Sequence, residues 1–310
     1  MKIIYHASAG PDLTSRLKSI PGLDIQICSE TDTELLTSVL RDCEVIWHVL
    51  TRCTAEMIAS APKLRLIQKI GVGVNTIDLE AANARRIAVC NLPGTNAQAV
   101  AEMSLSLMLA VLRRIPRFDQ SLRRGEWTNL TLQDGINELG GKTVGLIGYG
   151  AIPGKLAPVL SALGCKVIYT ARNQVPDATA HYVTRETLLS QSDVISLHLP
   201  LTDETDRIIN RTAFELMKKG AVLINTARGG LVDQNAMLDA LQSGQLAGAG
   251  LDVFEQEPIS PDDPLLSFPN VVLSPHIAWI TTGTFARSFR LAAENCRRLA
   301  SGEGLLHQVV

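Results

Sequence analysis

Val144-Gly145-Leu146-Ile147-Gly148-Tyr149-Gly150-Ala151-Ile152 is the stretch that decides how this chain folds. A short apolar run enters a Gly-x-Gly turn, and a helical pattern follows. A first glycine permits the tight turn, and a second lets the backbone approach a pyrophosphate. The next helix then offers its N-terminal N–H groups and its dipole to the anion. Placed between a strand and a helix, such a turn points to a dinucleotide held at Gly148 and Gly150. The third glycine of the pattern is missing: Pro153 stands there and Gly154 follows. A proline is tolerated in a first helical turn, but Pro158 is awkward in mid-helix. The expected helix therefore starts late, near Gly154, with both prolines close to its beginning.

Working outward, short apolar runs alternate with helical patterns along the whole chain, as in an α/β protein with parallel sheets. Ahead of the turn the expected strands are Lys2–Ala7, Leu23–Cys28, Glu44–Val49, Leu64–Ile70 and Ala88–Leu92. Amphipathic stretches such as Asp32–Leu40 and Leu79–Arg86 separate them, which makes a complete small doubly wound unit. A second series runs Thr143–Gly148, Lys166–Thr170, Asp193–Leu197, Ala221–Asn225, Gly248–Asp252 and Val271–Ser274, six strands for a full dinucleotide-binding fold. Between the two series lies a long helical pattern, Ala97–Ile115, ended or kinked at Pro116. The last helical stretch, Thr282–Ala300, has no strand after it and can pack back on the first unit. The expected division is 1–96 plus 282–310 for one domain and 97–281 for the other.

The 310 residues suit two domains, and with 46% hydrophobic but only 4% aromatic residues the core must be Leu, Ile, Val and Ala. A net charge of −2 with no basic block argues against nucleic-acid or anionic-membrane partners. Six scattered cysteines without a CxxC pattern read as reduced cytoplasmic thiols, and no metal site is expected. The chain starts straight into a strand pattern with no signal peptide, and no apolar stretch is long enough for a membrane span.

Ligands of open α/β sheets sit at the carboxyl ends of strands. There the second series carries Arg228, Asp252 then Glu257, and His276. Singly, each has a plain structural reading as a turn residue, a solvated acid or a capping imidazole. Together they suit reduction of a carbonyl beside a carboxylate. An arginine holds the carboxylate and polarises the carbonyl, a histidine supplies the proton, and a carboxylate fixes the histidine's tautomer and raises its pKa. The second strand ends Tyr169-Thr170-Ala171-Arg172-Asn173, with no carboxylate for an adenosine ribose. Arg172 favours a 2′-phosphate, so NADP(H) is the expected dinucleotide and NAD(H) the alternative; the plain reading is a solvated surface arginine. Trp279 lines the substrate pocket or simply packs, and Trp47 and His48 face the site or, by default, are buried.

The chain resembles the D-specific 2-hydroxyacid dehydrogenases, the family of phosphoglycerate dehydrogenases and glyoxylate/hydroxypyruvate reductases. The likeness is carried by Gly71-Val72-Gly73-Val74-Asn75-Thr76-Ile77-Asp78, Asn96-Ala97-Gln98-Ala99-Val100-Ala101-Glu102 and the Gly148 turn. It continues in the runs Asn225–Asp233, Leu251–Pro258 and Ser274–Ile277. The resemblance implies a Rossmann NAD(P)-binding domain and a smaller, discontinuous, flavodoxin-like substrate domain, with a cleft between them and usually a homodimer. It makes Arg228, Glu257 and His276 the catalytic set. It assigns a substrate carboxylate to the backbone at Val72, Gly73 and Val74, and Asp252 to the nicotinamide carboxamide. Val100, Ala151, Ile152, Leu199, Thr226 and Ala227 fall where the family touches the cofactor. Met103 stands where many members have histidine, and Ala171-Arg172 replaces the acid of NAD-preferring members. The implied reaction is hydride transfer between a nicotinamide and a small 2-oxo or 2-hydroxy acid, giving the D-hydroxy acid. The alternatives are phosphite oxidation on the same frame and a non-catalytic dinucleotide-sensing corepressor. Formate chemistry is disfavoured by Glu257, where formate enzymes carry glutamine.

Overall fold

The computed structural model describes residues 1–127 and 135–310. In chain order the strands are β1 (Lys2–His6), β2 (Asp24–Cys28), β3 (Val45–His48), β4 (Leu66–Lys69), β5 (Ala88–Cys90) and β6 (Thr143–Ile147). They continue with β7 (Lys166–Thr170), β8 (His181–Tyr182), β9 (Val194–Leu197), β10 (Ala221–Asn225), β11 (Leu246–Leu251) and β12 (Val271–Leu273). The helices are α1 (Pro11–Lys18), α2 (Thr33–Leu40), α3 (Ala55–Ala59), α4 (Leu79–Ala84), α5 (Ala97–Arg113) and α6 (Ile115–Arg123). After them come α7 (Ala151–Ala162), α8 (Arg185–Gln191), α9 (Arg211–Leu216), α10 (Gln234–Ser243) and α11 (Thr282–Ser301). The chain divides into two compact units, residues 1–96 with 281–310 and residues 97–280.

The first unit is a five-stranded parallel sheet in the order β2-β1-β3-β4-β5, the flavodoxin-like arrangement. Its strands read as near-continuous apolar runs because both faces are covered. One face carries Ile4, Ile46 and Ile67 against α2, α3 and α4. The other receives α11: Phe289 stacks on Trp47 at 5.6 Å and meets Tyr5 edge-on at 6.2 Å. Two buried amides lock the same contact, Asn295 Nδ2 donating to Gln68 Oε1 at 2.7 Å. Arg287 Nε donates to the carbonyl of Thr95 at 2.7 Å, and Val309 N–H to that of Val89 at 2.7 Å. Trp47 and His48 are both fully buried, the default of the sequence reading.

The second unit is a seven-stranded parallel sheet, β12-β11-β10-β9-β6-β7-β8. Numbered from β6 this is the doubly wound dinucleotide order, extended by one strand. Alternate side chains go to opposite faces. Val144, Leu146, Val222 and Ile224 pack under α5 and α7, while Ile147, Ile195, Leu197 and Leu223 pack under α8, α9 and α10. Six of the seven strands coincide with runs expected from the sequence. The seventh, β8, is a two-residue edge strand with both residues exposed, so it carries no apolar pattern. The long helical pattern breaks at Arg114, left-handed at φ 52°, one residue before the helix that contains Pro116.

The late start expected for α7 is wrong. The helix begins at Ala151 with Gly150 as N-cap, Pro153 lies buried in the first turn, and Pro158 sits inside the helix. Pro153 needs no partner for its missing N–H there. Pro158 leaves the carbonyl of Gly154 without its helical donor, and both residues are exposed, so water can take that carbonyl. Solvent on this face makes a mid-helix proline tolerable.

Phe289 is the aromatic that joins α11 to the first sheet, so Phe289→Ala is expected to cost about 3–5 kcal/mol. Hydrogen exchange should show protection lost through residues 1–96 and 281–310 while the second unit keeps its own.

Candidate active site

All seven strands of the second sheet run the same way, so their carboxyl ends share one edge. Read along that edge in sheet order, the segments after the strands carry His276 (β12), Asp252 and Glu257 (β11), Arg228 (β10), Leu199 (β9), Gly148 and Gly150 (β6), and Thr170 and Arg172 (β7). The sequence order differs, and the sheet reorders these residues into one row. The turn at Gly148 lies between β9 and β7, where the winding reverses.

Gly148 adopts φ 94°, and a Cβ there would stand 2.5 Å from the carbonyl oxygen of His198, so no side chain fits. Its N–H donates to the carbonyl of Thr170 at 2.8 Å, tying the turn to β7. Gly150 has open space where its Cβ would be, and no side chain caps α7. The N–H groups of Ala151 and Ile152 have no intrahelical acceptor. An uncapped twelve-residue helix behind a bare glycine fits a pyrophosphate. Arg172 is exposed beside half-buried Ala171 at the end of β7, with Thr170 before it. Leu199 is half-buried beside Gly148, and Val100 is buried on α5. Thr226 is largely buried, its hydroxyl 2.9 Å from that of Ser104 on α5. Burial pushes the imidazole of His198 down to about 3, so it is neutral next to this turn.

The catalytic candidates come together. His276 Nδ1 lies 2.6 Å from Glu257 Oε2, and Glu257 Oε1 accepts the N–H of Phe254 at 3.0 Å. The carboxylate accepts at Nδ1, so that nitrogen carries a proton and Nε2 is left to exchange one with a substrate. Burial raises the Glu257 carboxyl, but the bond and charge of His276, the Phe254 N–H and the Arg228 charge outweigh it, and the net shift is downward. Arg228 is mostly buried, and burial lowers its pKa against the opposing pull of Glu257. Asn225 fixes the Arg228 turn: its Nδ2 donates to the Arg228 carbonyl at 2.8 Å, and its Oδ1 accepts the Ala227 N–H at 3.0 Å. Gly229 allows the two loops to touch. A Cβ on it would fall 1.9 Å from the carbonyl carbon of Phe254, so only glycine lets the Glu257 loop come this close to Arg228.

Asn225, Gly229, Ser104 and Ser274 were not singled out from the sequence. Gly229-Gly230 directly after an arginine was the one usable signal, because paired glycines mark close backbone approach. Asp252, expected at the nicotinamide, is fully buried and accepts hydrogen bonds from the segment around His276. Trp279 is half-buried in the second unit. In the first unit, Val72, Gly73 and Val74 follow β4, with Val72 exposed. Its carbonyl accepts Asn91 Nδ2 at 2.9 Å, and among the described residues no acceptor takes the three N–H groups of Val72–Val74.

A dinucleotide turn in line with an arginine, a carboxylate and an imidazole defines an oxidoreductase that works on a polarised carbonyl. Residues 105–278 match the family model "D-isomer specific 2-hydroxyacid dehydrogenase, NAD binding domain". Over 281 residues the chain is 41% identical to a "Glyoxylate reductase" of Aeropyrum pernix, spanning 87% of this chain and 84% of that one. It is 40% identical over 261 residues to a "Hydroxypyruvate reductase" of Thermotoga maritima, spanning 82% and 84%. The solved TT0316 protein of Thermus thermophilus superposes with a TM-score of 0.90 at 36% identity over the full length of both chains. The chain belongs to the D-isomer-specific 2-hydroxyacid dehydrogenase family.

Glu257 is held below its ordinary value in the folded chain, so its stabilising contribution is complete above the normal carboxylate range. That contribution disappears as pH falls through the depressed folded value. Glu257→Gln is therefore expected to flatten the acid limb of the stability–pH curve of the second unit. An acid limb identical to that of the parent would mean that the pair with His276 does not form.

Proposed function

We propose that the chain reduces a small 2-oxo acid of the glyoxylate or hydroxypyruvate kind to the D-2-hydroxy acid, with NADP(H) preferred over NAD(H). The observation that carries this reading is the 2.6 Å pair of His276 and Glu257 on the same sheet edge as Arg228 and the Gly148 turn. Gly148, Gly150, Ala151 and Ile152 would hold the pyrophosphate, with Thr170 and Arg172 at the adenosine end. Val100, Leu199, Thr226 and Ala227 complete the cofactor contacts by family likeness. When bound, the reduced nicotinamide supplies the hydride for the carbonyl carbon.

The chain's own groups do the rest. Arg228 pairs with the substrate carboxylate and draws electron density from the adjacent carbonyl. By family likeness the backbone N–H groups of Val72, Gly73 and Val74 are assigned to a substrate carboxylate. His276, protonated, gives the Nε2 proton to the carbonyl oxygen as the hydride arrives at carbon, which leaves a neutral imidazole and a hydroxy acid. Glu257 keeps Nδ1 in place and balances the imidazolium before transfer. In oxidation the same steps run backwards. Trp279 is assigned to the substrate pocket.

NADP(H) preference is supported by Ala171-Arg172, which puts no carboxylate against a 2′-phosphate and offers an exposed guanidinium to it. A cytoplasmic setting is supported by the described cysteines, all six of them free and buried. A homodimer follows the family, and the exposed Ile115, Leu122 and Trp127, the last 79% exposed, supply apolar surface for one.

Initial rates with a panel of 2-oxo acids and both dinucleotides test the reading. Turnover with NADPH ahead of NADH is expected, and Arg172→Ala should raise the KM for NADPH roughly tenfold while leaving NADH nearly unchanged. Equal loss with both dinucleotides would remove Arg172 from the phosphate, and no turnover with any acid would overturn the assignment.

A further inference from the structure

We propose that Asp252 is the positioning residue of the proton donor: it clamps the segment Ser274–Ala278 and so sets where the His276 ring points. The inference rests on the reading of His276 as that donor. Asp252 leaves the end of β11 and is fully buried. Its Oδ1 accepts the Ser274 hydroxyl at 2.6 Å and the Ile277 N–H at 2.9 Å, and its Oδ2 accepts the Ala278 N–H at 2.8 Å. Its main-chain carbonyl accepts the His276 N–H at 2.8 Å. One residue therefore grips the segment before, at and after the histidine.

The segment requires a grip. His276 sits at φ 54°, in the left-handed region that a non-glycine residue occupies when its surroundings over-determine it. Those surroundings are donors that converge on one carboxylate, a charge-assisted arrangement stronger than neutral hydrogen bonds. With the backbone held in that conformation, the ring reaches Glu257 at 2.6 Å. The path runs from Asp252 through the backbone of residues 274–278 to the imidazole, and every link lies inside the second unit. Asparagine in place of Asp252 keeps the shape but turns one acceptor oxygen into an NH2 group. That group then faces an N–H or O–H donor, and the segment has to move to avoid it.

The test uses the full chain with Asp252→Asn and Ser274→Ala, the second keeping the charge and removing only the hydroxyl bond. Three quantities are read: the NADPH dissociation constant, the single-turnover rate of 2-oxo acid reduction at saturating NADPH, and the low-field NMR signal of the His276 Nδ1 proton. At saturating NADPH, Asp252→Asn is expected to slow transfer by about a hundredfold and to abolish the proton signal. Ser274→Ala should show a smaller loss of rate at unchanged NADPH affinity. If Asp252→Asn fails to fold, Ser274→Ala decides: a rate equal to the parent's overturns the proposal. A rise in the NADPH dissociation constant with normal transfer at saturation would make Asp252 a dinucleotide contact and also overturn it. If the parent reduces no 2-oxo acid, the functional reading fails on its own, and persistence or loss of the Nδ1 signal still decides the positioning role.

Discussion

The hydrogen bond from His276 Nδ1 to Glu257 Oε2 is the interaction on which the site depends. It joins the segments that follow two neighbouring strands, β12 and β11, and it fixes which imidazole nitrogen remains for chemistry. The surrounding structure keeps that bond in place. Gly229 lets the Glu257 loop lie against the Arg228 turn, Asn225 braces that turn, and Asp252 holds the backbone beneath His276. Changes at these positions would alter the direction of a group while leaving its identity intact.

A parallel sheet is what allows such economy. Because every strand of the second unit points the same way, residues from Gly148 to His276, far apart in sequence, arrive on one edge. The same edge carries a helix N-terminus without a side-chain cap, where N–H groups accumulate partial positive charge. Charge complementarity to an anionic dinucleotide is thus supplied largely by backbone, which explains how a chain of net charge −2 serves such a ligand. The first unit repeats the device on a smaller scale: among the described residues no acceptor takes the N–H groups of Val72–Val74 after β4.

Much of this was legible in the sequence because apolar runs and strand ends are local signals. The Gly148 turn announced the second sheet, and Arg228, Glu257 and His276 each follow a strand that periodicity locates. What stayed illegible depends on three-dimensional context. Pro158 looked like a bar to an early helix start, but its tolerance comes from solvent on the outer face of α7. β8 is too short and too exposed to leave a pattern. Asp252 is assigned to the nicotinamide by family likeness, and the donors that the fold gathers on its carboxylate, the Ser274 hydroxyl and the Ile277 and Ala278 N–H groups, leave no trace in the spacing. The pair of Ser104 with Thr226 spans 122 residues, and nothing in the spacing of a helical serine announces such a partner.

The most direct test of the central claim is a single turnover of pre-bound NADPH with hydroxypyruvate, in the parent chain and in His276→Ala, followed by the loss of nicotinamide absorbance. The account predicts unchanged NADPH binding with transfer slowed by about 10²–10⁴-fold in the variant. Transfer at the parent's rate in His276→Ala would contradict it.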